Sequence, residues 1–256
     1  MARIFITGSS DGIGQAAAKA LADQGHSVVL HARNADRAAA AHKAIPQAEA
    51  VLIGDLSSIA QTKKLAEEAN SLGSGTFDTV IHNAGIGYGG TSSRKITADN
   101  ISAVFAVNTL APYILTCLMK RPSSRLLFMS SDSHYGGDEN LRNITQSHSY
   151  SDSKLHDTML ANAFARQWGD EIQVVSMHPG WVRTKMGGMA APGGLDKPTR
   201  VLSEWAVGQG KWASLKSGAF FTTSGEESAH PGAGNVSKQD ELLKICKEVS
   251  GVDIPE

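Results

Sequence analysis

Residues 7–14 read TGSSDGIG, directly after the apolar run Ile4-Phe5-Ile6 and directly before an alanine-rich segment. A turn that passes tightly from a strand into a helix needs residues without Cβ where the backbone approaches a ligand. The helix N-terminus then presents free N–H groups and the positive end of its dipole to a phosphate. A glycine-rich turn without a ligand is the alternative, but the position of this stretch at the start of an α/β chain favours a bound dinucleotide. We therefore predict that the pyrophosphate is bound by Gly8, Ser10, Asp11, Gly12, Ile13 and Gly14.

Outward from this stretch, short β-branched runs alternate with longer segments of helical periodicity. The short runs predict strands over 3–7, 27–31, 49–53, 77–82, 125–130, 172–178 and 219–222. The longer segments predict helices over 13–24, 35–44, 57–72, 98–119, 150–168, 199–214 and 238–249. This alternation indicates an α/β fold, a Rossmann-type doubly wound parallel sheet of about seven strands with helices on both faces. No linker divides the sequence, so residues 1–256 are predicted to form a single domain.

The composition restricts which partners the chain can bind. Its formal net charge is −1 and Lys and Arg are scattered, which argues against nucleic acid or an anionic membrane as a partner. No apolar run is long enough to be a transmembrane segment or a signal sequence. Cys117 and Cys246 lack CxxC spacing, which argues against a disulfide framework or a metal site and for a reducing compartment. We expect a cytoplasmic protein.

The end of the second predicted strand indicates which dinucleotide is bound. An acidic residue there would bind the ribose 2′-hydroxyl of NAD, whereas residues 28–34 read VVLHARN. The Arg33 guanidinium, followed by Asn34, suits the 2′-phosphate of NADP through paired, charge-assisted hydrogen bonds. A solvated arginine at a helix start is the alternative. We predict NADP(H) as the cofactor and a packing role for His31.

Two further strand ends are predicted to contact the cofactor. Asp55 and Leu56 close the third predicted strand, and the Asp55 carboxylate is placed to accept a hydrogen bond from the adenine amino group. Asn83, Ala84 and Gly85 close the fourth, where small residues let the chain pass close to the cofactor. Each motif alone is an ordinary loop signal.

Tyr150 and Lys154 stand at the start of a long helical stretch, in the run YSDSK. Residues four apart lie on the same face of a helix, within mutual reach. A lysine ammonium beside a tyrosine stabilises the phenolate, so the phenol can pass its proton to a carbonyl oxygen as hydride arrives at carbon. A solvated helix face is the ordinary alternative for such a pair.

Two polar residues are further candidates for the site. Ser131 ends the fifth predicted strand, at the edge where wound sheets bind ligands, and is predicted to hydrogen-bond the substrate oxygen. A turn-forming serine is the alternative. Asn108 lies in a mainly apolar helical segment, either as a satisfied buried amide or as the holder of a water that relays protons to Lys154.

Together these motifs closely resemble the short-chain dehydrogenase/reductase family. The resemblance covers residues 3 to about 222 and rests on TGSSDGIG (7–14), GDL (54–56), NAG (83–85), Asn108, SS (130–131), YSDSK (150–154) and HPGWVRT (178–184). It implies catalytic roles for Asn108, Ser131, Tyr150 and Lys154, of which Tyr150 and Lys154 also contact the cofactor. It further implies nicotinamide contacts at Pro179, Gly180, Val182 and Thr184. Arg33 resembles the arginine of NADP-using members, and related proteins are often homodimers or homotetramers.

The chain departs from the family pattern between Ser131 and Tyr150, where eighteen residues exceed the usual spacing. The departure leaves Ser133 as an alternative holder of the substrate oxygen. The longer insert and the tail SGAFFTTSGEES (217–228) resemble the retinol dehydrogenase and protochlorophyllide reductase-like branch. This resemblance implies a bulky, apolar alcohol or carbonyl substrate.

Two segments, 132–149 and 185–198, interrupt the alternation and are predicted to be functional lids or mobile loops. In the second, Met186 and Met189 among glycines favour a flexible cover over an adaptable apolar pocket. The residues predicted to line that pocket are Tyr88, Trp181 and His134.

The sequence therefore predicts an NADP-dependent oxidoreductase that transfers hydride between the nicotinamide and a small-molecule carbonyl or alcohol. A non-catalytic NADP-binding redox sensor or interaction module is the alternative. It would share the phosphate loop, but it would not need the catalytic residues Asn108, Ser131, Tyr150 and Lys154. A sugar-nucleotide epimerase is disfavoured because little chain remains after the sheet to build a sugar-nucleotide domain.

Overall fold

The computed structural model describes residues 1–87 and 95–255, and eight strands within these ranges form one sheet. The strands are β1 (Arg3–Ile6), β2 (Ser27–Ala32), β3 (Ala50–Ile53), β4 (Thr79–His82), β5 (Arg125–Met129), β6 (Gln173–His178), β7 (Phe220–Thr222) and β8 (Glu226–Glu227). Their order is β3-β2-β1-β4-β5-β6-β7-β8. The first seven are parallel, which confirms the predicted doubly wound sheet, and β8 pairs antiparallel with β7.

Helices cover both faces of this sheet. Those of the described residues are α1 (Gly12–Asp23), α2 (Ala35–Ala44), α3 (Ile59–Ser71), α4 (Ala111–Leu118), α5 (Tyr150–Trp168), α6 (Asp196–Ala206) and α7 (Val236–Ser250). The order of the strands reverses between β1 and β4, because the chain builds β2 and β3 on one side of β1 and then crosses to the other. Such a switch point leaves a crevice outside the carboxyl ends of the strands.

The two faces of the sheet carry separate apolar cores. Ile4 and Ile6 of β1 pack on one face with α1 and α6, whereas Phe5 packs on the other with α4, α5 and α7. Successive strand residues point to opposite faces, so a strand buried on both sides must be apolar throughout. This explains why the strands lack polar alternation.

Two predicted helices differ from the structure, each for a local reason. The segment predicted as helical over 98–119 begins with a turn in which Asn100 has φ of 59°, and it becomes a π-helix only at Phe105–Leu110 before α4. Pro112 has no N–H to donate to the carbonyl of Asn108, so regular α-helical bonding is interrupted there. The segment over 199–214 divides into α6 and a 3₁₀ turn, because Gly208 and Gly210 have φ of 68° and 62°.

The insert at 132–149 is tied to the rest of the domain by specific contacts. Leu141 and Ile144 are buried in the core on the α5 side of the sheet. The Thr145 carbonyl accepts a hydrogen bond from Ser102 N at 2.6 Å, and Gln146 Nε2 donates to the Asn100 carbonyl at 2.8 Å. The segment therefore packs beside the π-helix, and it also connects β5 to α5.

Candidate active site

A cleft of about 570 Å³ lies at the carboxyl edge of the sheet, with walls built from the segments that follow β1 to β6. It brings together most of the predicted site residues: Gly8, Ser10, Asp11, Gly12, Ile13, Arg33, Asp55, Leu56, Asn83, Ala84, Gly85, Tyr150, Lys154, Pro179 and Thr184. The remaining predicted residues, which lie outside this lining, are Gly14, Asn34, Asn108, Ser131, Gly180 and Val182.

The turn from β1 into α1 has the shape that a pyrophosphate requires. Gly8 has φ of 64°, and a Cβ there would lie 2.8 Å from the Cα of Ala84. Asp11 caps α1 by accepting a hydrogen bond from Gly12 N at 2.8 Å. The N–H groups of Ile13 and Gly14, the next two of the first turn, have no partner within a helix that starts at Gly12, so they are available to an anion in the cleft. The turn therefore fits the phosphates of a dinucleotide.

Asn83 and Thr7 hold this turn against the end of β4. Asn83 Nδ2 donates to the carbonyls of Thr7 and Gly8 at 2.9 and 3.2 Å. In return, Thr7 Oγ1 accepts hydrogen bonds from Asn83 N and Ala84 N, both at 3.0 Å. Gly14 leaves room for the Asn83 side chain, because a Cβ at residue 14 would lie 2.4 Å from Asn83 Nδ2.

Gly14→Ala is therefore expected to displace Asn83 and to weaken dinucleotide binding by about tenfold or more, the loss of one or two hydrogen bonds. Quenching of protein fluorescence by NADPH measures the dissociation constant. Gly234→Ala is the matched control, because a Cβ at Gly234 meets nothing within 4 Å. Equal affinity of the Gly14 variant and the native protein would contradict this account of the turn.

His31 supports the same turn through hydrogen bonds of its ring. Its Nδ1 accepts a hydrogen bond from Gly8 N at 2.9 Å, and its Nε2 lies 2.9 Å from the Gly54 carbonyl, to which it donates. Burial lowers the pKa of His31, so the ring is neutral in the tautomer that these two bonds require. The predicted packing role is thus extended, because His31 links the turn after β1 to the end of β3.

Basic side chains gather at the α2 end of the cleft. Arg33 lines the cleft directly after β2, while Asn34 turns away and caps α2 by accepting from Arg37 N at 3.0 Å. Asp11 Oδ2 lies 3.3 Å from Arg37 Nη1 and 2.6 Å from Lys185 Nζ. Burial would raise the pKa of Asp11, but Lys185, Arg37 and the Gly12 amide together lower it.

Asp55 lies further along the cleft, at the end of β3. Its Oδ1 accepts hydrogen bonds from the Ser57 amide at 2.9 Å and the Ser57 hydroxyl at 2.7 Å. These bonds orient the carboxylate at the cleft wall. Its predicted contact with adenine stays a prediction.

Tyr150 and Lys154 stand at the inner wall of the cleft, on the first turns of α5. The helix starts at Tyr150 because Ser149, directly before it, and Asp152, in its first turn, form a capping box. Lys154 Nζ lies 5.5 Å from the centre of the Tyr150 ring and donates to the Met129 carbonyl and to Asp157 Oδ2, both at 2.7 Å. Burial would lower the pKa of Lys154, but the Asp157 carboxylate and Tyr150 raise it above the ordinary lysine value. The ammonium therefore keeps its charge beside the phenol.

The π-helix places Asn108 behind the cleft wall. Its Oδ1 accepts from Ile86 N at 2.8 Å, and its Nδ2 donates to the Ile86 carbonyl at 3.0 Å and to Ser153 Oγ at 2.9 Å. The structure therefore shows the satisfied buried amide. A water relay to Lys154 stays a prediction.

The two serines after β5 have different surroundings. Ser130 lines the cleft, but its hydroxyl donates to the Lys154 carbonyl at 2.8 Å and accepts from Thr158 Oγ1 at 3.1 Å. Ser131 donates to Asp132 Oδ1 at 2.9 Å and accepts from Ser133 N at 3.2 Å. The Ser131 hydroxyl must exchange Asp132 for a substrate oxygen before it can hold one.

The segment after β6 covers the nicotinamide end of the predicted cofactor site. Pro179 and Thr184 line the cleft, whereas Gly180 has φ of 91° and the buried Val182 pairs with Gly193. The Trp181 indole donates to the Gly187 carbonyl at 2.9 Å and is 57% exposed.

The residues predicted to line the substrate pocket have separate outcomes. Met186 reaches the cleft, and Met189 is exposed. His134 is fully buried, with its ring bonded to the Ser131 carbonyl and to His230 N, so it does not line the cleft. Trp181 is also outside the lining. Tyr88 lies outside the described residues.

A family model described as short chain dehydrogenase matches residues 2–192 of this chain. The chain belongs to the short-chain dehydrogenase/reductase family. This membership confirms the resemblance on which the site residues were assigned, and it makes the chain an oxidoreductase of a family that uses a nicotinamide cofactor.

Several short-chain dehydrogenase/reductase relatives match nearly the whole chain. An uncharacterised oxidoreductase of Emericella nidulans is 78% identical over 100% of this chain and 99% of its own. A short-chain dehydrogenase of Gibberella zeae is 39% identical, also over 100% and 99%. Retinol dehydrogenase 14 of Mus musculus is 26% identical over 97% of this chain and 86% of its own, in agreement with the predicted branch.

A solved structure shares the short-chain dehydrogenase/reductase fold. The NADPH-bound carbonyl reductase from chicken fatty liver superimposes with a TM-score of 0.69 and 22% identity, over 90% of this chain and 99% of that one. This likeness confirms the single Rossmann-type domain.

Among helices of the described residues, none is both long and apolar enough to span a bilayer.

Sequence reasoning missed several residues of this short-chain dehydrogenase/reductase cleft. They are His31, Arg37, Ser57, Ile86, Lys95, Ile96, Thr97, Ala103, Val107, Met129, Ser130 and Lys185. Lys185 directly follows the predicted contact Thr184, and Arg37 lies in the first turn of the helix that follows Arg33, so both were near a usable signal. The apolar residues carried none, because a core position and a cleft position look alike in a strand or helix pattern.

Proposed function

We propose that this chain is an NADP-dependent oxidoreductase that transfers hydride between the nicotinamide and an apolar carbonyl or alcohol substrate, with Tyr150 as general acid and base. One observation carries the proposal: the Nζ of the buried Lys154 lies 5.5 Å from the centre of the Tyr150 ring, at the wall of the cleft that the turn after β1 also lines. A sensor would not need that arrangement.

The residues of the chain divide the chemistry between them. The bound dinucleotide would supply the hydride as NADPH in reduction and would accept it as NADP⁺ in oxidation. Tyr150 gives its proton to the carbonyl oxygen in reduction and takes it back in oxidation. The Lys154 ammonium stabilises the phenolate that remains, in a wall where low polarity strengthens the interaction. Ser131 holds the substrate oxygen after its hydroxyl leaves Asp132.

The proposed preference for NADP rests on the basic residues at the α2 end. β2 ends in Ala32 without an acidic side chain, and Arg33 and Arg37 both line the cleft. Two guanidinium groups can neutralise a phosphate dianion and bind it through charge-assisted hydrogen bonds. The pyrophosphate contacts, the adenine contact at Asp55 and the nicotinamide contacts after β6 complete the proposed cofactor site.

Arg33→Ala is expected to raise the dissociation constant of NADPH by about tenfold to a hundredfold and to leave that of NADH nearly unchanged. The reason is that only NADPH carries the 2′-phosphate. Fluorescence titration with each dinucleotide measures both constants. Arg200→Ala, which removes an exposed arginine from α6, is the control and should change neither. An equal loss of affinity for both dinucleotides would contradict the assignment of Arg33 to the phosphate.

The proposed substrate is apolar because apolar side chains form much of the cleft wall. Ile86, Val107, Met129 and Met186 line it beside Tyr150. Methionine side chains adapt to ligands of different shape, so the cleft suits a bulky compound without fixing its outline.

Oxidation of NADPH in the presence of a panel of apolar aldehydes and ketones tests the proposed function. We expect turnover with several of them, and slower turnover with NADH. If NADPH binds tightly and no compound on the panel is reduced or oxidised, the sensor becomes the better account. The homodimer or homotetramer and the cytoplasmic location stay predictions, and sedimentation velocity measures the first.

A further inference from the structure

Lys154 has a second charged neighbour, Asp157, which lies one helical turn further along α5. Asp157 Oδ2 is 2.7 Å from Lys154 Nζ, and the two side chains are 4% and 5% exposed. The Met129 carbonyl accepts a second hydrogen bond from the same ammonium at 2.7 Å. An ammonium has three donors, so one remains for the cleft that Lys154 lines. Asp157 and the Met129 carbonyl of β5 thus accept hydrogen bonds from two of the three N–H groups of the ammonium.

A buried ammonium needs a counter-charge to stay protonated. Desolvation disfavours the charged form of a lysine strongly, and the opposite charge of a nearby carboxylate favours it. Burial raises the pKa of Asp157 to about 7, although the Lys154 ammonium acts to lower it. Above that pH both groups are ionised, and the pair replaces the water that an exposed lysine would have.

Among the residues that the structure describes, the other groups around the pair bring no competing charge. β5 contributes the Met129 carbonyl and the Ser130 hydroxyl, the π-helix contributes the neutral amide of Asn108, and α5 contributes Tyr150. Burial lowers the pKa of His156 on α5, and it also lowers the pKa of the histidines on the segments around α5, namely His82, His134, His148 and His178. Asp157 is therefore the carboxylate that balances Lys154.

We propose that Asp157 is a positioning residue for proton transfer, which keeps the Lys154 ammonium charged and directed at Tyr150 and the cleft. The proposal rests on the proposed role of Lys154 and Tyr150. A merely structural Asp157 would serve the helix equally well as an amide of the same size. A positioning Asp157 would not, because an amide carries no charge.

The first test observes the lysine directly, without substrate or cofactor. In protein labelled with ¹³C at lysine Cε, the Lys154 signal is assigned by its absence from the Lys154→Met spectrum. In the native protein we expect it to stay in the protonated form past the ordinary lysine value, with an inflection near pH 7 that reports Asp157. In Asp157→Asn we expect Lys154 to titrate at least about one unit lower. An unchanged titration in the variant would overturn the proposal, and so would a native Lys154 that is neutral near pH 8.

The second test follows the pH profile of kcat/KM for carbonyl reduction. In Asp157→Asn the alkaline limb should move toward lower pH, with a loss of about tenfold near pH 9 and a much smaller loss near pH 6. Asp157→Glu keeps the charge and should restore the native profile. A uniform loss at every pH would show that Asp157 only supports the fold. If the native protein reduces no compound at any pH, the proposed function fails, while the lysine titration still decides the case of Asp157.

Discussion

Tyr150→Phe is expected to lower kcat for carbonyl reduction by about 10²- to 10⁴-fold, the usual contribution of a positioned general acid. Phenylalanine keeps the ring beside Lys154 and removes the hydroxyl that would give up the proton. NADPH affinity should fall much less than kcat, because the turn after β1, and not Tyr150, is the proposed site of the phosphates. Stopped-flow measurement of NADPH oxidation at saturating substrate separates the two quantities.

Tyr135→Phe is the matched control for this substitution. Tyr135 lies in the insert after β5, is 49% exposed, and donates its hydroxyl to the Ser228 carbonyl at 2.6 Å. Loss of that surface bond should leave kcat within about twofold of the native value. Equal activity of Tyr150→Phe and the native protein would remove Tyr150 from the proton transfer and the general acid from the proposed mechanism.

The free energy of unfolding is expected to fall by about 5 kcal/mol between about pH 7 and about pH 4, a large part of the stability of a domain. Burial lowers the pKa of His82 to about 3 and of His148 to about 4, and it lowers the pKa of His156 well below its ordinary value. In the unfolded chain each ring takes up a proton near pH 6.5. Protons therefore favour the unfolded state throughout this range. The stability is present above about pH 6.5 and is lost as the pH falls.

Asp157 opposes this trend, since burial raises its pKa to about 7 and the folded state then takes up a proton before the unfolded chain does. Three histidines act against one carboxyl group, so the net effect keeps the sign of the histidines. Urea denaturation at a series of pH values measures the free energy directly.

His156→Leu isolates one histidine from the total. Neither ring nitrogen of His156 has a hydrogen-bond partner among the described residues, so an apolar side chain of similar size loses no bond there. Near pH 4.5 the variant should be about 2 kcal/mol more stable relative to the native protein than it is near pH 7.5. His42→Leu, at an exposed position on α2, is the control and should follow the native curve. Parallel curves for all three proteins would show that burial of these rings does not control acid unfolding.

The bounds of α2 and α5 could be predicted to the residue because their caps are local. Asn34 and Ser149 accept hydrogen bonds from the first turns of these helices, and both stand directly before the first residue. The seven parallel strands could be predicted because helices cover both faces of the sheet and most residues of these strands are apolar. The glycine turn, Tyr150 and Lys154 could be placed in one cleft because they follow strands or begin helices at the same edge.

Contacts between distant segments could not be predicted in the same way. The ion pair of Lys185 with Asp11 joins residues far apart in the chain, and nothing in either local pattern pairs them. Asp157 is part of a helix with charged and apolar residues mixed, and its complete burial depends on the sheet and helices around α5. β8 consists of two exposed glutamates, which have no strand pattern at all. These features depend on packing, which periodicity does not describe.

The hydrogen bonds of His31 and Asn83 concern one property of the cleft, the shape of the turn after β1. The proposed choice between dinucleotides is a second property, which a redesign would treat independently. Both side chains hydrogen-bond to the backbone of the turn after β1. His31 accepts from Gly8 N, and Asn83, at the end of β4, donates to the carbonyls of Thr7 and Gly8. Arg33 and Arg37 line the cleft after β2, and Arg37 reaches the turn through the Asp11 side chain rather than through its backbone. The residues that support the turn are therefore distinct from the two arginines proposed to select NADP. The two arginines could therefore be replaced by acidic or small residues while the backbone turn that is shaped for a dinucleotide is kept.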